Sequence, residues 1–168
     1  MRHIISILLE NQAGALTRVA SLFSSRGYNI ESLNVAPTDD EAVSRLTVVT
    51  NGSDEVIAQI SQQVGKLVDV VSVVDMTGTD HIERELALFK VRTPESSRAK
   101  LAGLLEQFGG HVLSYDEGRG TLELVGSGLE IDRFINAVAD LAEIETVVRS
   151  GAMAMARGAP VHDVHART

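Results

Sequence analysis

The chain has 168 residues, a formal net charge of −8, 44% hydrophobic and 23% charged residues. That length suits one ordinary domain or two small ones, and the composition suits a globular protein with a packed core. With no cysteine, no tryptophan, four phenylalanines and two tyrosines, disulfides, thiolate metal sites and a cysteine nucleophile are excluded, and the basic, aromatic face that nucleic acid requires is missing.

Residues 3–9 are short, apolar and β-branched, which predicts a buried strand. Glu10 stops this run, too early for a signal-peptide core or a membrane span, so a cytoplasmic protein is expected. Leu16, Val19, Ala20 and Phe23 then fall at the i, i+3, i+4, i+7 spacing of an amphipathic helix, with Gly27 placed to end it in a left-handed cap. "YNIESLNVAP" reads as a strand closed by Pro37, "TDDE" as a polar turn and "RLTVVT" as the next strand. Ser53 is the expected cap of a second helix that presents Val56, Ile57, Ile60 and Val64 before Gly65, and "LVDVVSVVDM" is a fourth strand. The order is βαββαβ.

After residues 77–79 the plan repeats. "ELALFKVR" is a strand, and Thr93-Pro94-Glu95 starts a helix marked by Leu101, Leu104, Leu105 and Phe108 and ended by Gly109-Gly110. "HVLSY" and "TLELVG" pair across the turn of residues 116–120. Ile131, Phe134, Ile135 and Val138 mark the last helix, and "EIETVV" the last strand. The fold class expected is therefore α/β (α+β), with two tandem ferredoxin-like βαββαβ sandwiches at residues 1–77 and 78–168. A unit this small leaves one sheet face bare, and "LVDVVSVV" offers little polar relief, so pairing of subunits or of the two copies is expected to cover it.

The stretch "ENQAGAL", residues 10–16, joins the first strand to the first helix. A helix start leaves free N–H groups and a partial positive charge, a seat for a carboxylate. Gly14 lets a ligand or another backbone approach closely, and Asn11 and Asn29 each offer a donor and an acceptor, as a zwitterionic amino acid requires. On residue chemistry alone a glycine and an asparagine before a helix are more often just a cap and a turn than an anion site.

Other residues invite chemistry without supporting it. His162 and His165 in "HDVH" have the spacing of two metal ligands but lie in a terminus interrupted by glycine and proline, so frayed, solvent-exposed side chains are expected. Asp39, Asp40 and Glu41 read as a solvated turn. His3, His81 and His111 have no carboxylate or nucleophile partner in the pattern and are assigned to strand edges or the surface, while Met153 and Met155 are expected to pack. No metal site and no catalytic residue is expected.

The run "LLENQAGALTRVASLFSSRGYNIESLNVAPTDDE", followed by "SRLTVVT", "QQVGKLVDVVSV", "ERELALFKVR" and "RSGAMAMARG", closely resembles the small, regulatory subunits of acetolactate synthase (acetohydroxyacid synthase), whose first domain is an ACT domain. The resemblance covers nearly the whole chain. It implies that valine binds between the ACT domains of a homodimer. Asn11, Gly14, Ala15 and Leu16 match the loop that holds the carboxylate, and Asn29 and Ile30 match the facing positions across the interface. It further implies that catalysis belongs to a separate large subunit carrying thiamine diphosphate, Mg²⁺ and FAD, with no cofactor on this chain, and that the small subunit activates its partner and makes it sensitive to valine. A stand-alone enzyme on the same scaffold, another ACT-type amino-acid sensor and a single-strand RNA binder are the competing readings. The last is disfavoured by the −8 charge.

Overall fold

The computed structural model describes residues 1–162. It divides into two units, one made of Met1–Ile82 with the chain from Ala152 onward, the other of Glu83–Gly151. The expected break at residue 78 shifts by a few residues, and the C-terminal segment joins the first unit.

In the first unit β1 (Arg2–Glu10), α1 (Ala15–Ser25), β2 (Ile30–Pro37), β3 (Val43–Asn51), α2 (Asp54–Val64) and β4 (Val70–Asp75) follow the expected βαββαβ order. The strands form an antiparallel sheet ordered β2-β3-β1-β4. Side chains alternate across a strand, so Ile5, Ile7 and Leu9 of β1 meet Val19 and Phe23 of α1 and Ile57 and Ile60 of α2 in one core. Ser53 Oγ accepts from the Val56 N–H at 3.4 Å and starts α2, as expected. Gly27, just past α1, has φ +70° and makes the left-handed turn out of the helix. One expectation shifts: α1 buries Ala15, Val19 and Phe23, which turns Leu16 out to 37% exposure.

The opposite face of this sheet is covered by the chain's own C-terminal segment, in part of the role expected for a second subunit or copy. Ile4, Val49 and Met76 pack against Ala152 and Ala154. The Ala152 N–H donates to Ser32 Oγ at 3.0 Å, and the Arg157 N–H to the Asp80 carbonyl at 2.9 Å. In the short strand β9 (Met153–Ala156) the alanines face inward, and Met153 and Met155, expected to pack, point out. Period-two alternation sends only one set inward, and the small side chains let the backbone lie close to the sheet.

His3 likewise departs from the edge or surface position expected of it. β1 is a central strand, so His3 is buried, with Thr77 Oγ1 3.3 Å from Nδ1 and the Asp54 and Asp75 carboxylates at 3.5 and 3.6 Å.

The second unit repeats the plan with β5 (His81–Arg92), α3 (Arg98–Gln107), β6 (His111–Asp116), β7 (Arg119–Gly126), α4 (Gly128–Val138) and β8 (Glu143–Arg149), its sheet ordered β6-β7-β5-β8. Phe134 of α4 stacks edge-on against Phe89 and Phe108, with centroids 5.1 and 5.5 Å apart. A 3₁₀ turn at Glu95–Ser97 precedes α3, so the helix begins later than Pro94 suggested. Ser127 and Glu130 form a reciprocal cap at the start of α4.

Candidate functional site

The loop between β1 and α1 is pinned on two sides. The Glu10 N–H donates to the Asp69 carbonyl at 2.8 Å, the Asn11 N–H to the Ala42 carbonyl at 2.8 Å, and Asn11 Nδ2 to the Glu41 carbonyl at 2.9 Å. Gln12 Nε2 bridges Glu10 Oε2 and Asp69 Oδ1, each at 2.7 Å. Asp69 is buried and ion-pairs with Arg18 of α1. That hydrogen bond from Arg18, ahead of the opposing desolvation, holds the Asp69 carboxyl below its usual range.

Gly14 is the N-cap of α1, at φ +86° and ψ −13°, and supplies no side-chain cap. The Ala15 N–H turns back to the Gln12 carbonyl at 3.3 Å and the Arg18 N–H closes on Gly14. The Leu16 and Thr17 amides, in the first turn, have no backbone acceptor among the described residues. The loop is exposed at Asn11, Gln12 and Gly14. Asn11 keeps its side-chain oxygen available, and Leu16 offers an apolar surface beside the free amides. Ala15 has its methyl in the core, so only its backbone belongs to this loop.

Asn29 and Ile30 stand elsewhere. Asn29 is exposed and its carbonyl accepts from Thr50 Oγ1 at 2.6 Å, while Ile30 lies opposite Thr50 and packs on the core. Glu10 lies opposite Val43 on the same strand. Seven residues of β3 (50 − 43) separate the two places, about 23 Å at strand rise. One chain therefore does not bring Asn11 and Gly14 together with Asn29 and Ile30.

Gln12, Arg18 and Asp69 were not singled out by sequence reasoning. The available signal was Asp69 itself, a lone acid inside the apolar run "LVDVVSVV".

His162, expected to be frayed, is 5% exposed, with Nδ1 2.9 Å from Ser72 Oγ and Nε2 2.9 Å from Ser6 Oγ. Desolvation first, then the charge of Arg45, lowers its pKa to about 4. His165 lies outside the described residues. Among those described, no group of histidines and acids is arranged to hold a metal, and no helix is long and apolar enough to cross a membrane.

Residues 5–72 match the family described as AHAS small subunit-like ACT domain, and residues 84–158 the family described as small subunit of acetolactate synthase. The acetolactate synthase isozyme 3 small subunit of Escherichia coli is 44% identical over 94% of this chain and 97% of its own. A probable acetolactate synthase small subunit of Archaeoglobus fulgidus is 35% identical over 94% of this chain and 98% of its own. The crystal structure of the acetolactate synthase small subunit of Thermotoga maritima superposes with a TM-score of 0.84 at 33% identity, covering 95% of this chain and 99% of that one. The first unit is thus an ACT domain, on a tandem ferredoxin-like scaffold. The chain belongs to the acetolactate synthase small-subunit family.

Proposed function

We propose that this protein docks on a catalytic acetolactate synthase subunit in the cytoplasm, raises its activity, and makes it subject to feedback inhibition by valine. The observation that carries the valine reading is the N-terminus of α1. Gly14 caps the helix in a left-handed conformation with no side chain, which leaves the Leu16 and Thr17 amides for an incoming carboxylate. Asn11 Oδ1 is placed to accept from an ammonium, and Leu16 adds an apolar surface for the isopropyl group.

The distance between the two groups of candidate residues supports a homodimer. Asn29 and Ile30 reach a Gly14 loop only if they come from another copy. β2 is an edge strand whose outer side is unpaired among the described residues, and Val35 on it is exposed. A two-fold axis along such an edge gives two equivalent sites.

Nothing in this chain is asked to do carbon–carbon bond chemistry. In this reading thiamine diphosphate, Mg²⁺ and FAD are held by the catalytic partner. The test is reconstitution: the purified chain is mixed with the catalytic subunit and acetolactate is assayed with and without valine. The expected result is higher activity on mixing and inhibition when valine is added. Failure of both overturns the proposal.

A further inference from the structure

Arg18 stands one turn after Gly14 in α1, and helical side chains lean back toward the N-terminus. Its guanidinium therefore lies over Gly14, where a Cβ would come within 3.0 Å of Nη1, 3.6 Å of Cζ and 3.8 Å of Nη2. The cation is thus at the end of the helix that presents the Leu16 and Thr17 amides.

That is an unfavourable place for it. A helix N-terminus carries a partial positive charge, and cations are favoured at the other end. The first turn of α1 contains no acid to answer either charge. What holds Arg18 there is Asp69, buried just before β4, whose carboxylate accepts from Nε. The other oxygen of that carboxylate accepts from Gln12 Nε2 at 2.7 Å, and Glu10 Oε2 accepts from the same nitrogen at 2.7 Å. Both nearby carboxylates are thereby engaged.

The guanidinium is engaged through one nitrogen only. No acceptor among the described residues takes a hydrogen bond from Nη1 or Nη2, and the side chain is 44% exposed. A planar fork of donors, fixed at Nε and open beyond it, suits a second carboxylate. Gly14 keeps the approach clear, because it places no side chain against Nη1.

We propose that Arg18 makes the site selective for a free carboxylate. Anchored through Nε by Asp69, it presents Nη1 and Nη2 to the carboxylate that the Leu16 and Thr17 amides receive. This role rests on the reading of the Gly14 loop as the effector site. Its consequence is discrimination by charge: a ligand with the same aliphatic side chain but an amidated carboxyl group forfeits the guanidinium, so a free amino acid is told apart from its amide.

The test is an NMR titration of the full chain at about pH 6.5, where the α-amino groups of valine and valinamide are both charged. The wild type is expected to bind valine at least about tenfold more tightly than valinamide. Arg18→Met combined with Asp69→Asn removes the pair without stranding a buried charge. That double variant is expected to weaken valine at least about fivefold and valinamide less than about twofold. A bracing role alone would weaken both ligands alike. Arg18→Lys keeps the charge and is expected to bind valine more tightly than the double variant. Where valinamide fails to saturate either protein, the comparison with Arg18→Lys decides. A wild type that binds no valine overturns the effector site itself. With valine bound by the wild type, the Arg18 assignment alone is overturned by unchanged valine affinity in the double variant, by equal losses of valine and valinamide, or by an Arg18→Lys variant that binds valine no better than the double variant.

Discussion

At single positions the chemistry turns on what a side chain would block or protonate. A Cβ built on Gly14 lies 3.0 Å from Arg18 Nη1, on a backbone at φ +86°. Aspartate tolerates that conformation better than most residues, and it would set a carboxylate beside Arg18 where the effector's carboxylate is proposed to bind. Gly14→Asp is therefore expected to abolish valine inhibition and leave activation of the catalytic subunit largely intact, read from acetolactate assays of the reconstituted enzyme. Unchanged valine sensitivity would remove this loop from the site. His162 supplies a pH dependence. Its folded pKa of about 4 lies below its ordinary 6.5, so between those values the unfolded chain binds the proton that the folded chain refuses. The stabilisation is complete above pH ~6.5 and declines as the pH falls towards 4. Urea titrations at about pH 7 and about pH 4.5 are expected to show the wild type losing on the order of 2 kcal/mol more than His162→Asn. Equal losses would mean that the imidazole does not hold the tail to Ser6 and Ser72.

Elements form where local pattern and tertiary contact agree. The helices of both units were legible in their apolar spacing, because each buries one stripe on a sheet. Phe134, fully buried between Phe89 and Phe108, is the centre of the second core. Phe134→Ala is expected to destabilise that unit by about 3–5 kcal/mol, measured by hydrogen exchange at Leu122 and Leu124. A loss under ~1 kcal/mol would mean that the cavity collapses freely. The return of residues 152–162 was not legible. "GAMAMARG" has neither a long apolar run nor a helical stripe, and its alanines become core residues only because Ile4, Val49 and Met76 wait on the sheet. The same holds for His162, whose neighbours Ser6 and Ser72 are distant in sequence.

For the whole molecule, the sharpest consequence of the proposed dimer is complementation. Each two-fold site would take its loop from one protomer and Asn29 from its partner. Gly14→Asp and Asn29→His variants are each expected to bind no valine. A heterodimer of the two would recover one intact site of its two, so an equimolar exchanged mixture should show about one quarter of the wild-type calorimetric capacity. No recovery would overturn a site shared between Gly14 of one protomer and Asn29 of its partner. The sequence by itself determined the two βαββαβ units, the cap and stop of α2, and the glycine loop after β1, because these follow from residue periodicity, from a capping hydroxyl and from the backbone freedom of glycine. Only the tertiary structure decided that the C-terminal segment covers the first sheet, that Asp69 and Arg18 brace the loop from underneath, and that Asn29 stands a sheet's length from Gly14. Those are contacts between residues far apart in the chain, and a pattern confined to neighbours cannot encode which of them will meet.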